Sequence, residues 1–283
     1  EICLALARAG SRVILACRRE EEGALVAAHI RGATGNPEVW VETVDLEDAT
    51  SITSFTSRIS QRYGSLKLLV NNAAAVPQER SETPEGHETQ FAVGVLSYHR
   101  LTRALLPLLS ASAPSQVLNI GSTFAGGLDT SDLSFSRRPY RPLQAYQASK
   151  QAVRMLSWGW AERVQGWGVA VNCCHPGAVM GTKVAASMGL RKGTHSARQA
   201  GAGTAKIARW VAKGGKWEAA SGCFWVVKLA VEPDEPASGT DPTRKSEEER
   251  DEDSRDGPEE CPWQGDEGCA GLLGVLDALD ATP

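Results

Sequence analysis

A tyrosine and a lysine four positions apart are the strongest candidates for chemistry in this sequence. Tyr146 and Lys150 lie in the string AYQASKQAV, and residues at this spacing share one face of a helix. A phenol exchanges protons poorly near neutral pH because its pKa is about 10. A nearby ammonium group favours the phenolate and lowers that pKa toward the range of general acid–base catalysis. The pair predicts a proton donor and acceptor, although the same spacing also occurs on solvated helix faces.

Three further strings end predicted buried strands in small or polar residues. QVLNIGSTFAG ends a strand at Gly121 and brings the Ser122 hydroxyl to its carboxyl end, where ligands bind in open α/β sheets. Ser122 can then hydrogen-bond a substrate oxygen, whereas the same string alone would indicate only the start of a loop. The other two strings are LKLLVNNAAAV, which ends in Asn71-Asn72-Ala73-Ala74, and VAVNCCHPGAVMGT, which contains Pro176-Gly177.

The elements that must position these residues alternate between short apolar strands and longer amphipathic helices. This rhythm predicts an α/β fold with a doubly wound parallel sheet of the Rossmann type. The predicted strands are Val13–Cys17, Val39–Val44, Leu66–Asn71, Val117–Ile120, Val169–Cys174 and Cys223–Val227. The predicted helices include Ser51–Tyr63, Phe91–Leu109 and Ala145–Val164.

The first residues, EICLALARAGSRVILACRR, predict a helix that ends at Gly10 and a strand that follows it. This pattern is typical of the second half of a first βαβ unit, whose first half holds a Gly-rich phosphate-binding turn. We therefore expect the first strand and the Gly-rich loop to be missing from this chain, as in a fragment. A natural variant without the loop is the alternative.

Composition divides the chain into three parts. With 283 residues, 42% of them hydrophobic, the chain suits one α/β domain, here residues 1–231, and the Rossmann-type pattern of this domain predicts dinucleotide binding. Residues 232–260 hold thirteen acidic and four basic residues, which predicts a disordered acidic insertion because so few apolar groups cannot offset the entropy of ordering. Residues 261–283 form a short C-terminal segment, in which Leu272–Leu279 is apolar.

Cysteine usage and hydropathy restrict the location and the partners. The seven cysteines lack paired metal-ligand spacing, so we expect unbridged thiols, no metal and an intracellular, cytoplasmic protein. No run of about 18 apolar residues is present, which predicts no membrane span in this chain. Membrane association through residues before Glu1 stays open. The net charge of −4 does not indicate nucleic-acid binding.

Taken in order, these strings resemble the NNAG, Ser, YxxxK and PG motifs of the short-chain dehydrogenase/reductase family, from Glu1 to Trp225. The 24-residue spacing between Ser122 and Tyr146 resembles the branch of the retinol dehydrogenases and the WW-domain oxidoreductase. The resemblance implies that Tyr146 is the general acid/base, that Lys150 tunes the phenol and binds the nicotinamide ribose, and that Ser122 polarises the carbonyl. It also implies a set of cofactor-lining residues: Asp45, Leu46, Asn72, Ala73, Pro176, Gly177, Val179 and Thr182.

The end of the second family strand bears on cofactor choice. An acidic residue there favours a ribose hydroxyl, whereas a cation favours a 2′-phosphate. This chain reads Cys17-Arg18-Arg19, and Arg18 can form a bidentate phosphate contact. The sequence therefore predicts NADP(H) rather than NAD, with a plain surface charge as the alternative for Arg18.

Three positions depart from the family pattern. Gly94 stands where the family usually has an asparagine that holds a water in the proton relay, and it cannot hold a water with a side chain. Ala74 replaces the glycine of NNAG, and Gly181 occupies the expected threonine position so that Thr182 follows one residue late. These departures weaken the expectation of full activity.

The resemblance implies hydride transfer between NADP(H) and a hydrophobic alcohol or carbonyl compound, such as a retinoid, steroid or lipid aldehyde. A catalytically impaired relative that binds nucleotide or protein is the main alternative. A nucleotide-sugar epimerase is a second one, although its extra C-terminal substrate domain is not evident. The family's helix pairing also predicts a homodimer through Trp158, Trp160 and Trp167, and His175 receives no role.

Overall fold

The computed structural model describes residues 1–179, 181–189, 193–212, 221–226, 258–259 and 267–281. The strands in this part of the chain form two sheets. In the first sheet β1 (Val13–Cys17) pairs in parallel with β2 (Val39–Thr43). The second sheet has the order β3 (Leu68–Asn71), β4 (Ser115–Ile120), β5 (Val169–His175), β6 (Phe224–Val226) and β7 (Pro258–Glu259). All its pairings are parallel except that of β7 with β6.

The helices are α1 (Ile2–Arg8), α2 (Glu20–Thr34), α3 (Ala49–Arg62), α4 (Thr89–Phe91), α5 (Ser97–Ala111), α6 (Pro142–Arg163), α7 (Lys183–Ser187), α8 (Ala197–Ala212) and α9 (Glu267–Asp280). Helices α1, α2 and α8 cover one face of the sheets, and α3, α5 and α6 cover the other. Because both faces are covered, β4 is buried at every residue and β5 at all but its last, as expected for parallel strands.

The two sheets share both helix layers, although β1 and β3 are not hydrogen-bonded to each other. Ile14 of β1 and Leu69 of β3 both pack against the core beneath α3 and α5. Leu15 and Leu68, which point to the opposite face, both pack against the core beneath α1, α2 and α8. The doubly wound architecture is therefore confirmed, but the strands of the described residues pair as two sheets rather than the single one expected.

Local sequence explains why α3 lies where the pattern predicts it. The Asp48 side chain accepts a 2.8 Å hydrogen bond from the Thr50 backbone N–H and so caps the first turn. Ile52, Phe55 and Ile59 recur at helical spacing and are all buried in the core. The same periodicity predicted both ends of α6 to within three residues and the end of α5 to within two.

The helix predicted over Phe91–Leu109 is interrupted near its start. Between α4 and α5, residues Ala92–Leu96 form a π-helix, with Gly94 buried at its centre. A Cβ atom added at Gly94 would meet nothing within 4 Å. A π-turn inside an α-helix often marks a functional position, and here it coincides with the departure from the family asparagine.

The C-terminal helix α9 packs against α6. Leu272, Leu273 and Leu276 are buried in the core that α5 and α6 line. Asp277 Oδ2 lies 2.7 Å from Arg163 Nη2, and Asp280 Oδ1 lies 2.7 Å from Arg100 Nε. The apolar segment predicted over Leu272–Leu279 therefore folds back onto the domain.

This docking changes the environment of the tryptophans expected at a dimer interface. Trp160 is buried in the core that also contains the leucines of α9, and its ring lies 5.5 Å from that of His99. Trp158 is partly buried, whereas Trp167 is 54% exposed. Trp160 is therefore occupied within its own chain, and a homodimer through these residues stays a prediction.

The other boundaries need small corrections. β2, β3, β4 and β5 each differ from the predicted strand by one or two residues, and Cys223 lies outside β6. Val227 and the acidic segment 232–260 lie outside the described residues, except for Pro258–Glu259. No helix in the described part of the chain is long and apolar enough to cross a membrane.

Candidate active site

Ser122, Tyr146 and Lys150 come together at the carboxyl end of β4. The Ser122 hydroxyl is close enough to the Tyr146 phenol to lower the phenol pKa by hydrogen bonding. Lys150 Nζ lies 5.6 Å from the centroid of the Tyr146 ring and donates a 2.8 Å hydrogen bond to the Ile120 carbonyl. All three side chains belong to buried residues. The structure thus assembles the phenol, hydroxyl and amine that the motifs predicted.

The turn after β4 determines the position of Ser122, because the backbone of the preceding residue, Gly121, lies close against β5. The Gly121 N–H donates a 2.8 Å hydrogen bond to the Cys174 carbonyl. A Cβ atom at Gly121 would lie 2.3 Å from Cys173 Sγ, so only glycine permits this close approach of the two strands. The Ser122 Oγ also accepts a 3.0 Å hydrogen bond from the Phe124 N–H.

Helix α6 presents the two other groups on one face. Pro142 stands in its first turn, where the missing N–H costs nothing and the ring favours helical geometry. Tyr146, Lys150 and Arg154 follow at intervals of four residues and are all buried. Lys150 and Arg154 donate to the carbonyl groups of Ile120 and Ser122 respectively. One face of α6 is therefore hydrogen-bonded to the backbone at the end of β4.

Burial governs the protonation of both groups. It raises the pKa of the Tyr146 phenol, and the hydrogen bond with Ser122 opposes that rise. Burial also lowers the pKa of Lys150 from 10.5 to about 8. The sequence predicted that the ammonium would lower the phenol pKa, and this direction is wrong for the structure. The desolvation of a buried phenolate outweighs the opposing interactions.

Two buried amides link the end of the neighbouring strand β3 to β4 and to α6, the helix that carries Tyr146 and Lys150. Asn71 Nδ2 donates a 2.8 Å hydrogen bond to Asn119 Oδ1, and Asn119 Nδ2 donates a 2.9 Å bond to Ser157 Oγ on α6. The Tyr98 hydroxyl donates a 2.8 Å bond to the Ala73 carbonyl. Asn72, which the family pattern predicts beside the cofactor, is exposed at the same end of β3.

Three of the residues predicted to contact the cofactor, Arg18, Asp45 and Leu46, lie just after β1 and β2 in the other sheet. Arg18 is exposed, and its Nη1 lies 3.2 Å from Glu47 Oε1. Asp45 Oδ1 accepts a 3.0 Å hydrogen bond from the Glu47 N–H, and Leu46 packs against the core beneath α3. A carboxylate therefore already faces the cation that was predicted to bind a 2′-phosphate.

The turn after β5 contains Gly177 of the PG motif and packs against His195, a residue that the motifs did not indicate. Gly177 has φ +91°, and a Cβ atom there would lie 2.3 Å from His195 Nδ1. The backbone N–H groups of Thr194 and His195 donate to the Ala178 carbonyl at 3.0 and 3.2 Å. Val179 forms a β-bridge with His195. The segment around His195 thus closes over the Pro176-Gly177 turn.

Two other residues of this region have local roles. Thr182 caps α7, because its Oγ1 accepts a 3.1 Å hydrogen bond from the Ala185 N–H. This cap engages the hydroxyl of a residue that the resemblance places beside the cofactor. His175 Nε2 lies 3.3 Å from Thr123 Oγ1, and the histidine received no role from the sequence.

The residues present fit the nicotinamide-ribose half of a dinucleotide. An ammonium group has three protons, and the described structure gives Lys150 Nζ one hydrogen bond, to Ile120. Its remaining protons suit ribose hydroxyls beside the Tyr146 ring. In the described residues no group of three or more His, Cys, Asp or Glu side chains is arranged to hold a metal ion.

Sequence reasoning missed two contributors, Arg154 and His195. Arg154 lies four residues after Lys150, so the helical spacing that identified Tyr146 and Lys150 is also the signal that could have placed Arg154 on the same helix face. Nothing in the local sequence signals that His195 packs on Gly177, since the two lie in separate strings with loop and helix between them.

Comparison with known proteins agrees with this geometry. The sequence model of the short chain dehydrogenase family matches residues 1–192. Retinol dehydrogenase 13 is 37% identical over 203 residues in mouse and in human, covering 71% of this chain. Retinol dehydrogenase 12 of mouse is 38% identical over 177 residues, or 62% of this chain. The matches span 59%, 61% and 56% of these three relatives, so the chain spans under two thirds of their length.

Solved structures share the fold at lower identity. An uncharacterized protein from Mycobacterium paratuberculosis superposes with a TM-score of 0.69 at 23% identity, covering 99% of this chain and 88% of its own. A short chain dehydrogenase from Escherichia coli CFT073 complexed with NADPH has a TM-score of 0.63 at 24% identity, covering 81% and 90%. The matched family model, the similar relatives and the grouping of Ser122, Tyr146 and Lys150 agree. The chain therefore belongs to the short-chain dehydrogenase/reductase family of oxidoreductases, in the branch that contains the retinol dehydrogenases.

Proposed function

We propose that this chain transfers a hydride between NADP(H) and a hydrophobic alcohol or carbonyl compound. The observation that carries the proposal is the grouping of three buried side chains at the end of β4: the Ser122 hydroxyl acts on the pKa of the Tyr146 phenol, and Lys150 Nζ lies 5.6 Å from the centroid of the phenol ring. A substrate oxygen at this point can contact a hydroxyl and a phenol together. That is the arrangement needed to hold a carbonyl and to move one proton.

The nicotinamide group supplies the hydride when it is bound. Tyr146 gives a proton to the substrate oxygen during reduction and accepts it during oxidation. Ser122 donates a hydrogen bond to the same oxygen and stabilises the charge that develops there. Lys150 holds the nicotinamide ribose, and its ammonium form stabilises the phenolate electrostatically.

NADP(H) is the cofactor that the charges favour. Arg18 is exposed at the end of β1, where a guanidinium group can form two parallel hydrogen bonds with a phosphate. The pairing with Glu47 is an exposed one, and such pairs are worth little, so a phosphate can displace the carboxylate. The bacterial neighbour that is complexed with NADPH supports the same choice.

The side chains beside the site favour an apolar substrate. Phe124, two residues after Ser122, is 48% exposed, and Leu143, three residues before Tyr146, is 42% exposed. Large apolar side chains exposed beside a catalytic group suit a hydrophobic ligand. The relatives named as retinol dehydrogenases lead us to propose a retinoid, with a steroid or a lipid aldehyde as alternatives of the same class.

The test is turnover of all-trans-retinal by the purified 283-residue chain. We expect retinol to form with NADPH, measured by chromatography, and to form far more slowly with NADH. Tyr146→Phe keeps the ring but removes the hydroxyl, so it should abolish product formation while the fold, followed by circular dichroism, is retained. Turnover that persists in Tyr146→Phe would contradict the proposal.

A second candidate function is nucleotide binding without turnover. The observation that favours it is Gly94, which supplies no side chain at the centre of the π-helix, where the family pattern has an asparagine. Binding of NADPH, followed by its fluorescence, with no retinol product would favour this candidate. We expect measurable product instead, since Ser122, Tyr146 and Lys150 are all present.

A further inference from the structure

A buried arginine contacts the backbone of the proposed catalytic serine. Arg154 lies on α6 one turn beyond Lys150 and is 6% exposed. Its Nε donates a 3.0 Å hydrogen bond to the Ser122 carbonyl oxygen, and Nη2 donates to the same oxygen. Two donors of one planar guanidinium therefore converge on a single acceptor, which restricts the direction of that carbonyl.

The Ser122 carbonyl needs such a partner because it lies beyond the regular hydrogen bonding of the sheet. β4 ends at Ile120, and the last described backbone bond of this turn runs from the Gly121 N–H to the Cys174 carbonyl. Ser122 is nearly buried, and a buried carbonyl without a donor costs free energy comparable to a lost hydrogen bond.

The guanidinium is itself held in position by a second contact. Arg154 Cζ lies 3.7 Å from the centroid of the Phe224 ring on β6, a distance typical of an arginine stacked on an aromatic face. Stacking orients the plane of the guanidinium, and a lysine could not reproduce it. The position of Ser122 thus depends on a contact between α6 and β6.

We propose that Arg154 is a positioning residue that orients Ser122 for the reaction, an inference that rests on the proposed function. Arg154 touches neither substrate nor cofactor in this proposal. It holds the peptide after Ser122, so that the hydroxyl stays directed at Tyr146. A displacement of about 1 Å at a catalytic group can lower the rate by about 100-fold.

The contact also has a consequence for proton transfer. The hydrogen bond with Ser122 opposes the burial that raises the pKa of Tyr146. A Ser122 side chain that is no longer held in place loses this bond, and the phenol pKa then rises further. During alcohol oxidation the phenolate accepts the proton, so the rise of the rate with pH should move to higher pH.

The experiment compares Arg154→Met, Ser122→Ala and the double variant in retinol oxidation. We expect Arg154→Met to lower kcat about 10- to 100-fold, to leave the KM for NADP within about twofold, and to shift the pH profile to higher pH as Ser122→Ala does. The double variant should be no worse than Ser122→Ala, because the two residues act through one interaction. Arg154→Lys, which keeps one donor, should recover part of the rate.

Arg163→Met is the matched control, since Arg163 lies on the same helix but pairs with Asp277. It should leave kcat and the pH profile unchanged. If Arg154→Met does not fold, Arg154→Lys is measured in its place and should still show an alkaline shift. Additive losses in the double variant, or a pH profile that stays in place in every Arg154 variant, would overturn the proposal.

A readout that needs no turnover separates this inference from the proposed function. The phenol of Tyr146 is titrated by its ultraviolet absorbance, as the difference between the chain and its Tyr146→Phe variant. Arg154→Met should raise the midpoint of that difference titration. If the unaltered chain shows no turnover but the midpoint rises, the proposed function fails and the positioning role stands. An unchanged midpoint contradicts the positioning role.

Discussion

The imidazole ring of His195 occupies the space that a Cβ atom at Gly177 would take, because such an atom would lie 2.3 Å from Nδ1 and 2.5 Å from Cγ. Gly177 also has φ +91°, a backbone conformation that residues with a Cβ atom rarely adopt. The turn at the end of β5 therefore depends on glycine for two separate reasons. One is the backbone conformation, and the other is the ring above it.

Gly177→Ala should destabilise the chain by about 2–5 kcal/mol, since the methyl group adds an overpacking cost of about 1–3 kcal/mol to a backbone strain of about 1–2 kcal/mol. Thermal unfolding measures the change. In a His195→Ala background the ring is gone, so the same substitution should cost only the strain, about 1–2 kcal/mol. An equal loss of stability in both backgrounds would show that the His195 ring adds no overpacking cost.

Gly94→Ala should stabilise the chain by about 0.5–1 kcal/mol, because glycine is unfavourable in a helix interior and the space around it is open. Gly94→Asn places an amide where the family pattern has one, and we expect it to raise kcat. Gly94→Ala is its control, since the methyl group fills space without binding water. A kcat that rises equally in both variants would contradict a role for the amide.

Arg18→Gln should raise the KM for NADPH about 10- to 100-fold and leave the KM for NADH within about twofold. The reason is that a charge-assisted hydrogen bond contributes about 1.5–3 kcal/mol, and tenfold corresponds to about 1.4 kcal/mol. Glu47→Gln removes the carboxylate that faces Arg18 and should lower the KM for NADPH. Equal changes in the KM values for NADPH and NADH would show that Arg18 is a surface charge with no role in binding the 2′-phosphate.

Leu276→Ala should lower the free energy of unfolding by about 2–5 kcal/mol, because this side chain of α9 is fully buried in the core that α5 and α6 line and its truncation leaves a cavity. Val275→Ala is the control on the same helix. Val275 is 36% exposed, so its loss should cost far less. Chemical denaturation of both variants tests the docking of α9, and similar costs would contradict it.

His99 should make the stability depend on pH between about 6.5 and 4. Burial lowers its pKa from 6.5 to about 4, against the opposing effect of Asp277. In this window the unfolded chain binds more protons than the folded chain, so the free energy of unfolding falls as the pH falls.

The His99 contribution is isolated by comparison with His99→Gln. Carboxylates titrate in both proteins and cancel in the difference. The unaltered chain should lose about 1–3 kcal/mol more than the variant as the pH is lowered from about 6.5 to 4. Chemical denaturation at a series of pH values measures this, and parallel curves would contradict it.

The sequence by itself was sufficient for the elements and for the central pair. Apolar runs and helical spacing predicted both ends of β1 and, to within three residues, the ends of β2 to β5, α3 and α6. Tyr146 and Lys150 were predicted on one face because that relation depends only on the pitch of a helix. Such features are local, and local geometry follows from residue type and spacing.

Contacts between distant segments were decided by tertiary structure alone. Arg154 and Ser122 are 32 residues apart, and Asn71 and Asn119 are 48 apart. No short-range pattern encodes these pairs. They form because α6 packs against the end of β4 and because β3 and β4 are neighbours in the sheet.

Electrostatics was also decided by the packing. The spacing of Tyr146 and Lys150 predicted a lowered phenol pKa, whereas burial raises the pKa of Tyr146 and lowers that of Lys150. Trp160 was likewise expected at a dimer interface, whereas the structure buries it in a core that includes leucines of α9. Solvent exposure is a property of the whole fold, since it depends on which elements surround a group, and a residue's neighbours in sequence do not determine it.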